Sequence, residues 1–129
     1  MKLIFDDPTF SLQLLRAISE TYYKGADIGE CLSTAYRIKE SDFESWYNEW
    51  LKTAKRVYNY AQECLKNGHK ISARESLLRA SNYYRVAELV ALKHGNQVKN
   101  VSGKQHSFFH LLLNLYKFPM RKQLFLVIF

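Results

Sequence analysis

His106 and His110 stand four residues apart, so on a helix they would share one face and could offer two imidazoles to a metal ion. No third ligand lies near them, and no Glu adjoins the first His as the zinc-protease pattern requires. His69 sits between two helical segments with no motif setting a nucleophile beside it, so it reads as a turn residue rather than a general base. Cys31 and Cys64 fall on the apolar sides of predicted helices, which favours buried thiols over a bridge. Trp46 and Trp50, at i and i+4, have the spacing to stack a ligand, but that spacing is more often core packing. Arg74, Arg79, Arg85 and Lys93 are interleaved with Glu75 and Glu88, which suits pairing and snorkelling better than a phosphate surface. With no helix-turn-helix, zinc-finger or RNA-binding signature, no nucleic-acid partner is expected. These patterns assign no catalytic residue, no cofactor and no metal site.

The elements that would position these side chains are helices. Ser72 with Glu75 has the spacing of a capping box, and Ala73, Leu77, Ala80, Tyr84 and Ala87 follow in one stripe. Tyr83, Val86, Leu89, Val90 and Leu92 lie off that stripe, so this helix should need cover on more than one side, from a partner domain. Ser41 with Glu44 makes a second box, followed by Trp46, Trp50, Ala54, Val57, Ala61 and Leu65 at helical spacing; Lys66-Asn67-Gly68 then closes the helix. The short connection makes the segments of about 42–67 and 72–94 an antiparallel hairpin, and Gly95 ends the second. Asp7-Pro8 reads as an N-cap and first helical residue, with Phe10, Leu14, Leu15 and Ile18 facing inward. Asp27 caps a short helix whose inward residues are Cys31, Leu32, Ala35 and Ile38. The fold class is therefore all-α: a helical bundle built around the hairpin, with a helical domain over 1–95. Residues 96–129 form a tail with one helix at about 104–117 and a short C-terminal strand. A tetratricopeptide reading fails because residues 1–40 do not repeat the pattern of 42–94.

Several blocks carry a resemblance. Gly25-Ala26-Asp27-Ile28-Gly29-Glu30-Cys31-Leu32 comes first, then Trp46-Tyr47-Asn48-Glu49-Trp50. Gly68-His69 and Ser72-Ala73-Arg74-Glu75 follow, then Arg79-Ala80-Ser81-Asn82-Tyr83-Tyr84-Arg85 with Ala87-Glu88. Together, from about Phe10 to Glu88, they resemble the N-terminal helical cap region of α/β-hydrolase serine hydrolases. That group includes 2,6-dihydroxypseudooxynicotine hydrolase and esterase- or dipeptidyl-aminopeptidase-like proteins. The resemblance implies a helical region packed over a hydrolase domain, shaping its pocket and often a dimer. It also implies that Arg79, Asn82 and Tyr83, on the face left over by the hairpin stripe, are pocket- or domain-facing. The nucleophile elbow of such enzymes, G-x-S-x-G, does not occur in these 129 residues; Gly25-Ala26-Asp27-Ile28-Gly29 has its spacing with Asp27 at the centre. No triad residue can be carried over, and the chain is expected to be inactive by itself.

Charge divides the sequence. Residues 1–90 hold 13 Lys plus Arg against 12 Asp plus Glu, while residues 91–129 hold 6 against none, which gives the totals of 19 and 12 and a net charge of +7. The closing run Leu124-Phe125-Leu126-Val127-Ile128-Phe129 is apolar and unbroken, the pattern of an aggregation-prone segment. The acid-free tail and this ending suggest a shortened or frame-shifted relative of a longer gene. With 47% hydrophobic residues the chain is too apolar to be disordered throughout. No run approaches the roughly 20 apolar residues of a membrane span, and the apolar stretch Leu3-Ile4-Phe5 is too short for a signal peptide, so a cytoplasmic location is the default. Three functional readings follow: a truncated hydrolase cap, a stand-alone interaction module that dimerises or docks on an intact hydrolase, and a peripheral membrane binder through basic residues 104–122.

Overall fold

A computed structural model describes residues 3–94, and among them every regular element is helical. Helix α1 spans Pro8–Ser19 and runs into a 3-10 turn, Glu20–Tyr23; α2 spans Ile28–Arg37, α3 Phe43–Lys66 and α4 Lys70–Lys93. The expected tail helix at about 104–117, the C-terminal strand, the Gly95 stop and His106 with His110 all lie outside the described residues.

Aspartates start three of the four helices. Asp7 accepts from the backbone N–H groups of Thr9 and Phe10 with Pro8 at the first helical position, as the sequence indicates. Asp27 accepts from Glu30 N–H. At α3 the expected Ser41–Glu44 box is replaced by Asp42, whose carboxylate accepts from Ser45 N–H at 3.0 Å. Ser41 instead takes a left-handed conformation, φ 59°, and its hydroxyl donates to Asp7 at 2.9 Å, tying the loop before α3 to the cap of α1.

The expected Ser72–Glu75 box is not formed either. Helix α4 starts two residues earlier, at Lys70, with His69 as an N-cap that makes no side-chain capping bond. The cause lies in the end of α3. Gly68, at φ +75°, lets its own N–H reach Leu65 C=O and lets His69 N–H reach Cys64 C=O at 2.8 Å, a pairing that closes α3 and leaves the chain already aimed into α4.

The α3–α4 hairpin is the main contact of the fold. Ala73, Leu77, Ala80, Tyr84 and Ala87 are all buried, as are Trp46, Trp50, Ala54, Val57 and Ala61, as the periodicity indicates. Leu65 and Leu15 differ: both are exposed, and Cys64 and Ala17 take the inward positions. Phe5, Phe10, Trp46, Trp50 and Tyr83 form a continuous train of rings with centroids 4.7–5.8 Å apart, and Trp46 Nε1–H donates to Val86 C=O at 3.3 Å.

The second face of α4 is also covered, contrary to the expectation that it needs another domain. Tyr83, Val86 and Val90 are buried by the chain's own helices, while Leu92, in the last turn, stays 76% exposed. Part of what meets this face is the segment Gly25–Asp27, which offers Tyr83 and Asn82 backbone groups rather than an apolar stripe.

Candidate functional site

Helix α1, the 3-10 turn and the start of α2 meet α4 along a seam that is polar inside an apolar bundle. Its shape follows from one tight reversal. Lys24 adopts φ 66°, so that Lys24 N–H reaches Thr21 C=O and Gly25 N–H reaches Glu20 C=O at 2.9 Å. Gly25 fits this position for lack of a side chain: an added Cβ would stand 3.2 Å from Glu20 Cβ and 3.3 Å from Glu20 C=O. The reversal leaves the Gly25 carbonyl and the Asp27 amide pointing at α4.

Two α4 side chains meet them. Asn82, almost fully buried, donates through Nδ2 to Gly25 C=O at 2.8 Å and to Ala17 C=O at 3.3 Å, and its Oδ1 accepts from Arg85 at 2.6 Å. Tyr83, fully buried, accepts from Asp27 N–H at 2.9 Å. Arg79 completes the seam from the outside, its guanidinium on both carboxylate oxygens of Glu30 at 3.3 Å. The three residues singled out from the sequence are thus brought together, one helical turn long, and all three bind the segment 17–30 of this same chain.

Electrostatics separate the seam into an inner and an outer part. Burial pushes the Cys31 thiol up to about 12, with a hydrogen bond from Tyr83 opposing and the charges of Glu30 and Asp27 reinforcing the rise. Burial likewise raises Tyr83, with the neighbouring Cys31 adding to the effect, so both stay protonated across the physiological range. Arg85 is held below the usual guanidinium range by burial, against the pull of Glu20 at 4.0 Å. Arg85 Nε and Glu20 Oε2 are buried without hydrogen-bond partners, so this pair is imperfectly matched.

Outside the seam lies an open hollow of about 360 Å³, bounded by Thr21, Lys24, Asp27, Ile28, Glu75 and Arg79. It has charges of both signs and no activated nucleophile. The Thr21 hydroxyl donates back to Ile18 C=O at 2.6 Å, so no base takes its proton. His69 stands exposed at the hairpin turn and His94 stacks on Phe43, centroids 4.0 Å apart; neither faces the hollow. Cys31 and Cys64 are free buried thiols. Among the described residues no cluster of His, Cys, Asp and Glu could hold a metal ion, and no helix is long and apolar enough to cross a membrane. The arrangement holds elements in place, and among the described residues lining the hollow no nucleophile is paired with a base.

Glu20 and Glu30 are the seam residues to which sequence reasoning gave no role; Asp27 was read as a helix cap and Arg85 as an intramolecular pairing residue. The spacing of Arg79 and Arg85 around Asn82 on one helix was visible. Their carboxylate partners were not, because Glu20 and Glu30 lie 49 or more positions away and no local spacing links them to the arginines.

The first and last blocks of the family resemblance are therefore the two walls of this seam: Gly25–Cys31 on one side, Arg79–Arg85 on the other. No family model matches the chain, and no solved structure matches it. Curated proteins do. The chain is 37% identical over 90 residues to "20-hydroxy-prefusarin hydrolase FUS2" of Gibberella moniliformis, which covers 70% of this chain and 22% of that protein. It is 40% identical over 90 residues to "Hydrolase LUC6" of a Fusarium species, with the same coverage, 70% and 22%. It is 38% identical over 87 residues to "Alpha/beta hydrolase psoB" of Aspergillus fumigatus, 67% of this chain and 20% of that one. The chain is related to the α/β hydrolases through a segment that spans about a fifth of the length of the curated relatives it matches.

Proposed function

We infer that the bundle serves as the helical, cap-type part of an α/β hydrolase of the esterase- or peptidase-like group, with no turnover of its own. The observation that carries this reading is that the blocks resembling the hydrolase helical region assemble the Asn82–Tyr83–Arg79 seam, which fixes the shape of the bundle. A cap must present a fixed surface to a catalytic domain. The seam supplies rigidity by pinning the irregular 20–27 segment to α4 through buried hydrogen bonds, which are strongest where water is excluded. On this reading Arg79, beside the open hollow, is the pocket- or domain-facing residue of the three, and Asn82 and Tyr83 act from behind it.

Identity to proteins named hydrolase over 87–90 residues supports the family part of the reading. The absence of G-x-S-x-G from these 129 residues supports the noncatalytic part. Hydrolysis of fluorogenic esters by the purified protein tests it. Release at the buffer rate is expected; turnover abolished by a serine-reactive phosphonate would show a nucleophile within the chain and overturn the assignment.

A further inference from the structure

The turn joining α3 to α4 combines exposed aliphatic side chains with a run of cations. Every residue from Leu65 to Ser72 is exposed. Ile71 is 66% exposed and Leu65 37%, one on each side of the Asn67-Gly68-His69 reversal, so two large aliphatic side chains stand at the same end of the hairpin. Tyr60, 51% exposed, lies one helical turn and a half behind them on α3. From Cys64 to Arg74 there is no Asp or Glu, and Lys66, Lys70 and Arg74 lie in that stretch. None of the three enters an ion pair among the described residues.

We propose that this hairpin tip is a peripheral docking surface for an anionic lipid bilayer, with Ile71 and Leu65 entering the headgroup boundary and Lys66, Lys70 and Arg74 lying against acidic headgroups. The tip projects, every residue from 65 to 72 being exposed, and sets Leu65 and Ile71 on either side of the polar Asn67-Gly68-His69 turn, which suits a soft interface that deforms around it; a folded protein partner would need a matching concave pocket. A nucleic acid would meet the cations but leave Ile71 in water. Long basic side chains beside the apex can lie along it and still keep their charge at the phosphate level. With no described helix able to span a bilayer, the contact is peripheral. It is independent of the hydrolase reading.

Co-sedimentation of the full chain with vesicles tests it, comparing phosphatidylcholine alone with phosphatidylcholine containing phosphatidylserine. Partition is expected only with phosphatidylserine and should weaken in high salt. The variant K66E/K70E/I71D, at exposed positions, should lower that partition by at least about tenfold, since each lysine near an anionic surface contributes about fivefold. The milder K66Q/K70Q should lower it less and flatten its salt dependence, with helical circular dichroism unchanged in both. Absence of partition overturns the proposal. So does equal partition of the wild type and the triple variant, which would place the membrane contact elsewhere in the chain. Tip-dependent retention on duplex RNA without vesicle binding would overturn it as well.

Discussion

Asn82 is the side chain on which the seam depends most. A carbonyl in an irregular segment has no helix or sheet partner, and Gly25 C=O meets the Asn82 amide instead. Truncation by Asn82→Ala leaves that carbonyl and the Arg85 guanidinium without their partner in a buried setting, and should cost about 2–4 kcal/mol in urea unfolding. Tyr83→Phe removes the hydroxyl that accepts from Asp27 N–H and bonds the Cys31 thiol, and should cost about 1–2 kcal/mol. A loss for Asn82→Ala no larger than that for Tyr83→Phe would argue against the central place of the amide. Asn82 was visible in the sequence as a polar residue off the apolar stripe. Its partners were not, because backbone carbonyls exist at every position and only the fold chooses which ones turn inward.

At the scale of helices, the termini show where local signals decide and where geometry does. Asp7 and Asp27 cap as their sequence contexts indicate. Ser41 and Ser72 each have Glu three residues on, yet neither caps. Asp42 stands one position nearer the helix than Ser41, and the closure at Gly68 launches α4 before Ser72 is reached. Burial patterns were readable wherever an apolar stripe faces another helix, as in Ala73 to Ala87. They failed for Leu15 and Leu65, each at the edge of its stripe, where a rotation of one position moves a side chain into water. Two substitutions probe the reversal before α2. Lys24 holds φ 66° without the freedom of glycine, so Lys24→Gly should stabilise the protein by about 0.5–1 kcal/mol. Gly25→Ala should destabilise it, by about 1–3 kcal/mol, because the methyl group meets Glu20 backbone and Cβ. Both are measurable as shifts in thermal midpoint, and the opposite signs are the discriminating feature.

Across the whole molecule, buried acids with raised pKa values set the alkaline limit of stability. Cys31 moves from 9.0 to about 12 and Tyr84 from 10.0 to about 12, each chiefly through burial, and Tyr83 rises as well. Folding holds the protons of these groups more tightly than the unfolded chain does. Their contribution is therefore complete below about pH 9 and is lost as pH rises from there toward about 12. Denaturant midpoints should fall across that window; a midpoint independent of pH through it would mean that Cys31 and the tyrosines are already hydrated in the folded state. The same bundle buries Tyr83, Val86 and Val90 on the second face of α4. Arg79 and the mixed-charge hollow lie on the outside of that bundle.

Exchange of the matching helical segment of the Aspergillus fumigatus α/β hydrolase for Pro8–Lys93 of this chain tests the cap assignment most directly. If the bundle is a hydrolase cap, the folded chimera should turn over its substrate within about tenfold of the intact relative, a barrier change of no more than about 1.4 kcal/mol. A chimera that is soluble and folded yet releases no product, while the intact relative does, would contradict it.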